Sequence, residues 1–239
     1  MNELHTMKIV DAELRELGEL IAEMARKADK MLVDAVNALI RGDIRLARLV
    51  IDSDVHIDSL QHQIEENAVV EIARRQPVAC DLRELVSTFG IVGELERVGD
   101  LAKNIAKRAV KIGPREKPSN VSAGLKRMAE IASASLSDVV DAYIGRDAAG
   151  AKSVWLRDAE LDALDDLVVR NILTRMMEDR ASIAVCSHLL FCSKNIERIG
   201  DHATNVAEAV YYIITGDKLP DDRPRGRLEV TAPSAASIG

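Results

Sequence analysis

The chain has 239 residues, of which 47% are hydrophobic but only 3% aromatic, and its net charge is −7. This composition predicts an all-α protein whose core consists of leucine, isoleucine, valine and alanine. The negative charge excludes a broad basic surface for nucleic acid. Charged residues interrupt every apolar stretch before about 18 residues, which excludes a membrane-spanning helix.

The beginning of the chain and its cysteines indicate the compartment. The first residues show a helical pattern with acidic side chains rather than a basic, apolar leader, so we expect a soluble, cytoplasmic protein. Cys80, Cys186 and Cys192 form no Cys-x-x-Cys pair. They predict buried, reduced thiols rather than a disulfide framework.

Six helices are predicted, three in each half of the chain. Gly42 can end the first helix and Asp43 can cap the second. Gly145 and Asp147 repeat this pattern in the second half. Pro77 marks a further break, because proline disfavours helical geometry in the residue before it. The helices cover roughly 3–40, 43–75, 78–112, 119–145, 147–178 and 181–215.

The two halves join at a short connector, residues 113–118, which contains two prolines and one glycine. We therefore predict two packed, related three-helix bundles, the first over residues 1–113 and the second over 119–216. Residues 220–239 have no helical period and are rich in proline, small and charged residues, which predicts a disordered C-terminal tail.

One acidic motif occurs twice. Glu96-Arg97-Val98-Gly99-Asp100 returns 101 residues later as Glu197-Arg198-Ile199-Gly200-Asp201. Residues four apart lie above one another on a helix, so Glu96, Asp100 and Asn104 form one stripe, and Glu197, Asp201 and Asn205 form another. On a helical wheel the apolar residues of both helices oppose these acids, which places the acids away from the core.

Like charges four residues apart destabilise an isolated helix by roughly 0.2–0.5 kcal/mol, so the repeated pair predicts a compensating cation. Lys103 and Lys107 could compensate the first stripe. Thr204 and Glu208 replace them in the second, so we expect that local lysines do not account for both stripes. Bidentate pairing with a distant arginine is an alternative, the candidates being Arg74, Arg75 and Arg180. A second alternative is that each acidic stripe forms a solvated polar face without a specific cation.

The preceding helix of each half carries a further pair of acidic residues, Asp54 with Asp58 and Asp158 with Asp162. If these helices pack beside the stripes, each half presents four carboxylates. Such oxygen ligands suit Mg²⁺, Ca²⁺, Mn²⁺ or ferric iron rather than structural zinc. The predicted metal-binding residues are therefore Glu96, Asp100, Glu197, Asp201, Asp54, Asp58, Asp158 and Asp162.

A metal-storage or redox protein is the alternative to a signalling role. Di-iron carboxylate proteins use a Glu-x-x-His motif on each of two helices, and no histidine of this chain has a glutamate three residues before it. No hydrolase, P-loop or dinucleotide motif is present, so no catalytic residue is predicted. The remaining conspicuous side chains are interpreted as packing groups: Met176, Met177, Trp155, Phe191, Tyr211 and Tyr212.

Several motifs together resemble the PhoU family of phosphate-uptake regulators. They are Arg75-Gln76-Pro77, Asp81-Leu82-Arg83, Glu94-Leu95-Glu96-Arg97-Val98-Gly99-Asp100, Met176-Met177-Glu178-Asp179, Ile196-Glu197-Arg198-Ile199-Gly200-Asp201 and Tyr211-Tyr212. The resemblance covers nearly all of the chain before the tail. It implies two pseudo-symmetric three-helix bundles, with acidic motifs that in some members bind metal clusters.

The resemblance also implies a function. Family members are non-enzymatic adaptors between a phosphate ABC transporter, here through its ATPase subunit, and a membrane sensor histidine kinase. They keep phosphate-starvation genes off when phosphate is plentiful. We therefore expect a negative regulator of phosphate uptake that reaches the membrane only through these partners and forms a homodimer. Its only expected cofactor is a divalent cation or iron, namely Mg, Mn or Fe.

Overall fold

The computed structural model describes residues 3–75, 77 and 79–220, and it is helical throughout both halves. The helices are α1 (Glu3–Arg41), α2 (Ile44–Arg75), α3 (Ala79–Ile112), α4 (Ser119–Gly145), α5 (Ala148–Glu178) and α6 (Ile183–Thr215), with a 3-10 turn at Arg180–Ser182. The all-α prediction is confirmed, and every described boundary lies within two residues of its prediction. Apart from Pro220, the predicted tail lies outside the described residues.

The chain forms two three-helix bundles. Helices α1, α2 and α3 pack against one another, as do α4, α5 and α6. Contacts of α1 with α4 and of α3 with α6 join the bundles around a continuous apolar core that is almost entirely aliphatic. In this packing α2 lies beside α3 and α5 beside α6. None of the described helices is both long and apolar enough to cross a membrane.

The turn between α1 and α2 forms as predicted. Gly42 has a left-handed φ of 69°. A Cβ at this position would lie 2.9 Å from the Cα of Pro114, so the close approach of the connector also favours glycine. Asp43 caps α2, because its Oδ1 accepts hydrogen bonds from the backbone amides of Arg45 and Leu46, each at 3.0 Å.

In the corresponding turn of the second half α4 ends at residue 145 as predicted, and Asp147 caps α5 by accepting a hydrogen bond from the Ala149 amide at 3.0 Å, but the left-handed residue is not the glycine. Gly145 stays in α4, and Arg146 takes the left-handed conformation with a φ of 53°. This conformation is unfavourable for a residue with a side chain. Arg146 gains a compensating ion pair, at 2.5 Å, with the buried Glu84 of α3. The Tyr143 hydroxyl donates a hydrogen bond to the same carboxylate at 3.1 Å, so this contact joins the two bundles.

The side chains that were interpreted as packing groups differ in their burial. Trp155 is buried, and its indole donates a hydrogen bond to Glu208. Met177, however, is 79% exposed at the end of α5, and Phe191 is 55% exposed, because it lies on the outward face of α6. The three cysteines are free as predicted, but Cys80 is exposed in the first turn of α3.

Candidate functional site

The two acidic stripes lie on α3 and α6, away from the apolar core. Asp100 is exposed, whereas Glu96, Glu197 and Asp201 are partly exposed. Because α2 packs beside α3 and α5 beside α6, the acidic pairs of the preceding helices come near these stripes. Asp58 is exposed, Asp158 and Asp162 are partly exposed, and Asp54 is only 7% exposed.

A lysine connects the acidic residues of the first half. Lys103 of α3 forms an ion pair with Asp54 of α2, and its Nζ lies 3.4 Å from Asp100 Oδ1. The carboxylate of Asp54 is nearly buried, so the lysine provides its charge compensation inside the helix pair. Helices α2 and α3 are thereby bridged at the stripe.

The negative charge of the neighbouring carboxylates also acts on Glu96. Burial raises the pKa of Glu96, and the nearby carboxylates of Asp100, Asp58 and Asp54 raise it further, against a lowering by Arg97. Among the described side chains Glu96 forms no ion pair. The structure thus brings the four predicted carboxylates of the first half into one electrostatic group.

The second half also has a local lysine, so the expectation that only the first stripe has one is wrong. Lys194, one turn before Glu197 on α6, lies 3.5 Å from the Glu197 carboxylate and 2.5 Å from Asp165 of α5. Asp165 is 1% exposed and also accepts a hydrogen bond from Ser193 at 2.6 Å. This compensating group precedes the motif, whereas the one in the first half follows it.

The charge balance of the second stripe resembles that of the first. Burial raises the pKa of Glu197, Lys194 lowers it, and Asp201, Asp165 and Asp162 raise it, with a net upward shift.

The helix pairs of the two halves share a register. Thr204 stands 101 residues after Lys103, and its hydroxyl donates to Asp158 at 3.4 Å. Asp158 in turn stands 104 residues after Asp54. Equivalent positions therefore meet in both halves, although the contact is an ion pair in one half and a weaker hydrogen bond in the other.

Asp165 is the site residue that the sequence analysis missed. It stands between Leu161 and Val168 on the apolar face of α5, and its equivalent in the first half is Gln61. A carboxylate on an apolar helix face needs a buried partner. The position of Asp165 on that face was therefore the feature of the sequence that could have identified it.

The glycine of the repeated motif permits the close helix packing. A Cβ added to Gly99 of α3 would lie 3.3 Å from Cγ2 of Ile57 on α2, and one added to Gly200 of α6 would overlap with Cδ2 of Leu161 on α5. A larger residue at either position would push against a buried side chain of the helix that carries the other carboxylate pair. The motif therefore combines two acidic residues with a glycine that allows the neighbouring helix to pack closely.

The carboxylates do not form a ready-made metal centre. Within the described part of the chain, no three or more carboxylate, imidazole or thiol groups are arranged to hold a metal ion. A lysine ammonium instead occupies carboxylate oxygens in each half. Arg74 and Arg180 are exposed and form no ion pair with the described residues, and the side chain of Arg75 lies outside them. Lysine rather than arginine is thus the compensating group.

A second polar contact joins α3 to α6. Glu94 Oε2 accepts a hydrogen bond from His202 Nδ1 at 2.6 Å and one from Asn205 at 3.0 Å. Burial raises the pKa of Glu94, but these hydrogen bonds and the electrostatic effects of His202 and Arg97 outweigh it, so the net shift is downward. This role of Glu94 was not predicted from the sequence.

Comparison with known proteins places this architecture among related chains. The family model described as the PhoU domain matches residues 21–109 and again 125–210. A Rhizobium meliloti protein named phosphate-specific transport system accessory protein PhoU homolog is 45% identical, over 97% of this chain and 98% of its own length. The homologue of the same name from Caulobacter vibrioides is 42% identical, over 92% of this chain and 96% of its own.

A solved structure agrees with these sequence matches. The crystal structure of PhoU from Pseudomonas aeruginosa superposes with a TM-score of 0.82 at 34% identity, and the match covers 87% of this chain and 99% of that one. The match includes the greater part of both bundles, so the pairing of α3 with α6 belongs to a shared architecture.

Proposed function

This chain belongs to the PhoU family, and from that premise we propose that it is an accessory protein of a phosphate-specific transport system. The observation that carries the proposal is the Rhizobium meliloti relative, which has that name and is 45% identical over 97% of this chain. A shared fold alone would not support a shared function. Identity over nearly the whole length also includes surface residues, where partners bind.

We propose further that the chain is a non-enzymatic, cytoplasmic adaptor that represses the phosphate-starvation response. It would contact the ATPase subunit of the transporter and a sensor histidine kinase. Two similar bundles offer two surfaces for two partners, and each surface carries an acidic stripe on a rigid helix pair. Such stripes steer partners with basic surfaces, so we expect the association to weaken with increasing salt.

The acidic stripes also support a proposal about cations. We propose that Mg²⁺, Mn²⁺ or iron binds to these carboxylates in competition with Lys103 and Lys194. The raised pKa values of Glu96 and Glu197 support it, because burial and then the neighbouring carboxylates disfavour the charged form of each group, which a cation would stabilise. A cation that replaces a lysine ammonium would find acidic oxygens already gathered from two helices.

Deletion of the gene tests the regulatory role. With abundant phosphate, the deletion strain should express alkaline phosphatase, and a plasmid copy of the gene should restore repression. Complementation with the Glu96→Gln/Asp100→Asn and Glu197→Gln/Asp201→Asn variants then tests each stripe separately. Continued repression in the deletion strain would contradict the proposal. Oxidation of ferrous iron by the purified protein would favour the redox alternative.

A further inference from the structure

A cluster of cationic side chains lies where α3 ends and α6 begins. Arg108 and Lys111 belong to the last turns of α3, Arg115 to the connector, and His188 to the first turns of α6. Arg108 Nη1 lies 3.1 Å from His188 Nδ1, and its guanidinium carbon lies 4.0 Å from the centre of the exposed Phe191 ring. The ring and the imidazole together hold this guanidinium in place.

The positive charge of the cluster is not balanced by carboxylates. Arg108, Lys111 and Arg115 form no ion pair with any described residue, although the whole chain has a net charge of −7. Burial lowers the pKa of His188, and the charges of these three side chains lower it further. Each of the three cations therefore lies close enough to His188 to disfavour its protonated form.

The internal repeat shows that the fold does not need these charges. The equivalent location lies where α6 ends and α3 begins, 101 residues away in sequence. The residues that replace Arg108, Lys111, His188 and Phe191 there are Ala209, Tyr212, Ser87 and Gly90. At its other end the same helix pair carries one arginine, Arg83 of α3, whose guanidinium carbon lies 5.6 Å from the centre of the Tyr212 ring. One cation accompanies the packing there, so packing does not explain a cluster of four cationic side chains.

The cluster borders a recess. Arg115 also lines a cavity of about 630 Å³ between the connector, α5 and the start of α6. Three acidic residues line it as well, but two of them, Glu178 and Asp179, pair with Arg175 at 4.0 and 3.1 Å. Glu116 is the third. Among the described residues Arg115 forms no ion pair with any of the three, and its charge acts on His188 together with those of Lys111 and Arg108.

We propose that this cluster binds a small, soluble anion whose phosphate groups carry at least two negative charges. Arginine guanidinium groups match phosphate oxygens in a bidentate geometry, and Lys111 adds a point charge. The recess provides room for a small ligand beside Arg115. The proposal does not rest on the proposed function, because it uses different residues. The cluster lies about 18 Å along α3 from Glu96 of the acidic stripe.

Isothermal titration calorimetry with pyrophosphate tests the proposal, with orthophosphate as the weaker, singly phosphorylated ligand. The Arg108→Gln/Lys111→Gln/Arg115→Gln variant should bind pyrophosphate at least about tenfold more weakly than the unaltered chain. The matched control is Arg48→Gln/Lys126→Gln/Lys152→Gln, which removes the same charge from exposed residues without ion pairs. Its affinity should stay within about twofold. Equal binding by the cluster variant, or no binding by the unaltered chain, would overturn the proposal.

His188 provides an independent measurement. An anion on the cluster should raise the pKa of His188, so its imidazole resonances should titrate at higher pH when pyrophosphate is present. If the triple variant fails to fold, Arg108→Ala/His188→Ser can replace it in the calorimetry, because the repeat carries those residues at the equivalent positions. Vesicles of phosphatidic acid distinguish the source of the phosphate. Binding to vesicles without binding to pyrophosphate would assign the phosphate to a lipid and overturn the proposal.

Discussion

Arg146, the residue that follows α4, pairs with Glu84 of α3 at 2.5 Å, across the joint between the two bundles. We expect Arg146→Gly to preserve the turn, because glycine adopts a positive φ without strain. The substitution should nevertheless lower the free energy of unfolding by about 1–3 kcal/mol, because Glu84 remains buried without its cation. Urea denaturation followed by circular dichroism measures this difference.

A double-mutant cycle provides the control for that prediction. In a Glu84→Gln background the carboxylate is absent, so Arg146→Gly should cost much less than in the unaltered chain. An equal cost in both backgrounds would show that Arg146 acts through something other than Glu84.

The glycine of the repeated motif should tolerate substitution unequally in the two halves. Gly200→Ala places a methyl group against Leu161, and we expect it to lower the free energy of unfolding by about 1–3 kcal/mol. Gly99→Ala should cost less, because the new methyl would meet Ile57 at 3.3 Å. Thermal denaturation of the purified variants measures both effects.

Gly90 is the matched control for these substitutions. It also lies within α3, but a Cβ there would contact nothing within 4 Å. Gly90→Ala should therefore stabilise the protein by about 0.5–1 kcal/mol through helix propensity alone. If Gly200→Ala stabilised the protein similarly, the close approach of α5 and α6 would not limit the size of this residue.

Lysine and metal cations should compete for the first acidic stripe. Lys103 occupies oxygens of Asp54 and Asp100, so Lys103→Gln should raise the affinity for Mn²⁺ by about tenfold. Electron paramagnetic resonance of free Mn²⁺ provides the titration. Lys107→Gln is the control, because Lys107 is exposed on the same helix and carries the same charge. Equal gains in both variants would indicate a general charge effect and contradict direct competition.

Asp29 should make stability depend on pH. It is half-buried on α1, and its Oδ1 has no hydrogen-bond partner among the described residues. Burial raises the pKa of Asp29 above its ordinary value of 3.8, although a hydrogen bond with Ser133 lowers it. A carboxyl group with a raised folded-state pKa destabilises the fold above that pKa and has no such effect below the unfolded-state pKa.

We therefore expect Asp29→Asn to be more stable than the unaltered chain at pH 7. The difference should shrink as the pH falls through the raised pKa, and it should disappear below pH 3.8. Urea denaturation at several pH values measures the change. Asp52→Asn, which removes a charge from an exposed position, should show no comparable trend. A constant advantage for Asp29→Asn at all pH values would contradict the assignment to ionisation.

Local patterns predicted the helices well because their causes are local. Gly42 and Asp43 are adjacent in sequence and act on the same turn, so their roles could be inferred directly. The ion pair of Arg146 could not, because its partner Glu84 lies 62 residues earlier and meets it only after the bundles pack.

The candidate site likewise combines features that the local sequence predicts with contacts that it does not predict. The spacing of Glu96 and Asp100 determined which face carries the stripe, and the same held for Glu197 and Asp201. The compensation was harder to predict. Lys194 stands one turn before its partner motif, whereas Lys103 follows its own, so matching positions between the repeats does not lead from Lys103 to Lys194. The strongest partner of Lys194, Asp165, belongs to another helix. Long-range pairing of this kind depends on which helices become neighbours.

The antiparallel contact of α3 with α6 has a consequence for symmetry. Two separate copies of one bundle, paired through this contact, would carry every substitution at both ends of the helix pair, because a twofold axis relates those ends. In a single chain the two ends can differ. Arg108 and Phe191 occupy one end, whereas Ala209 and Gly90 occupy the other. Joining the bundles in one polypeptide thus allows a symmetric scaffold to present two chemically different surfaces.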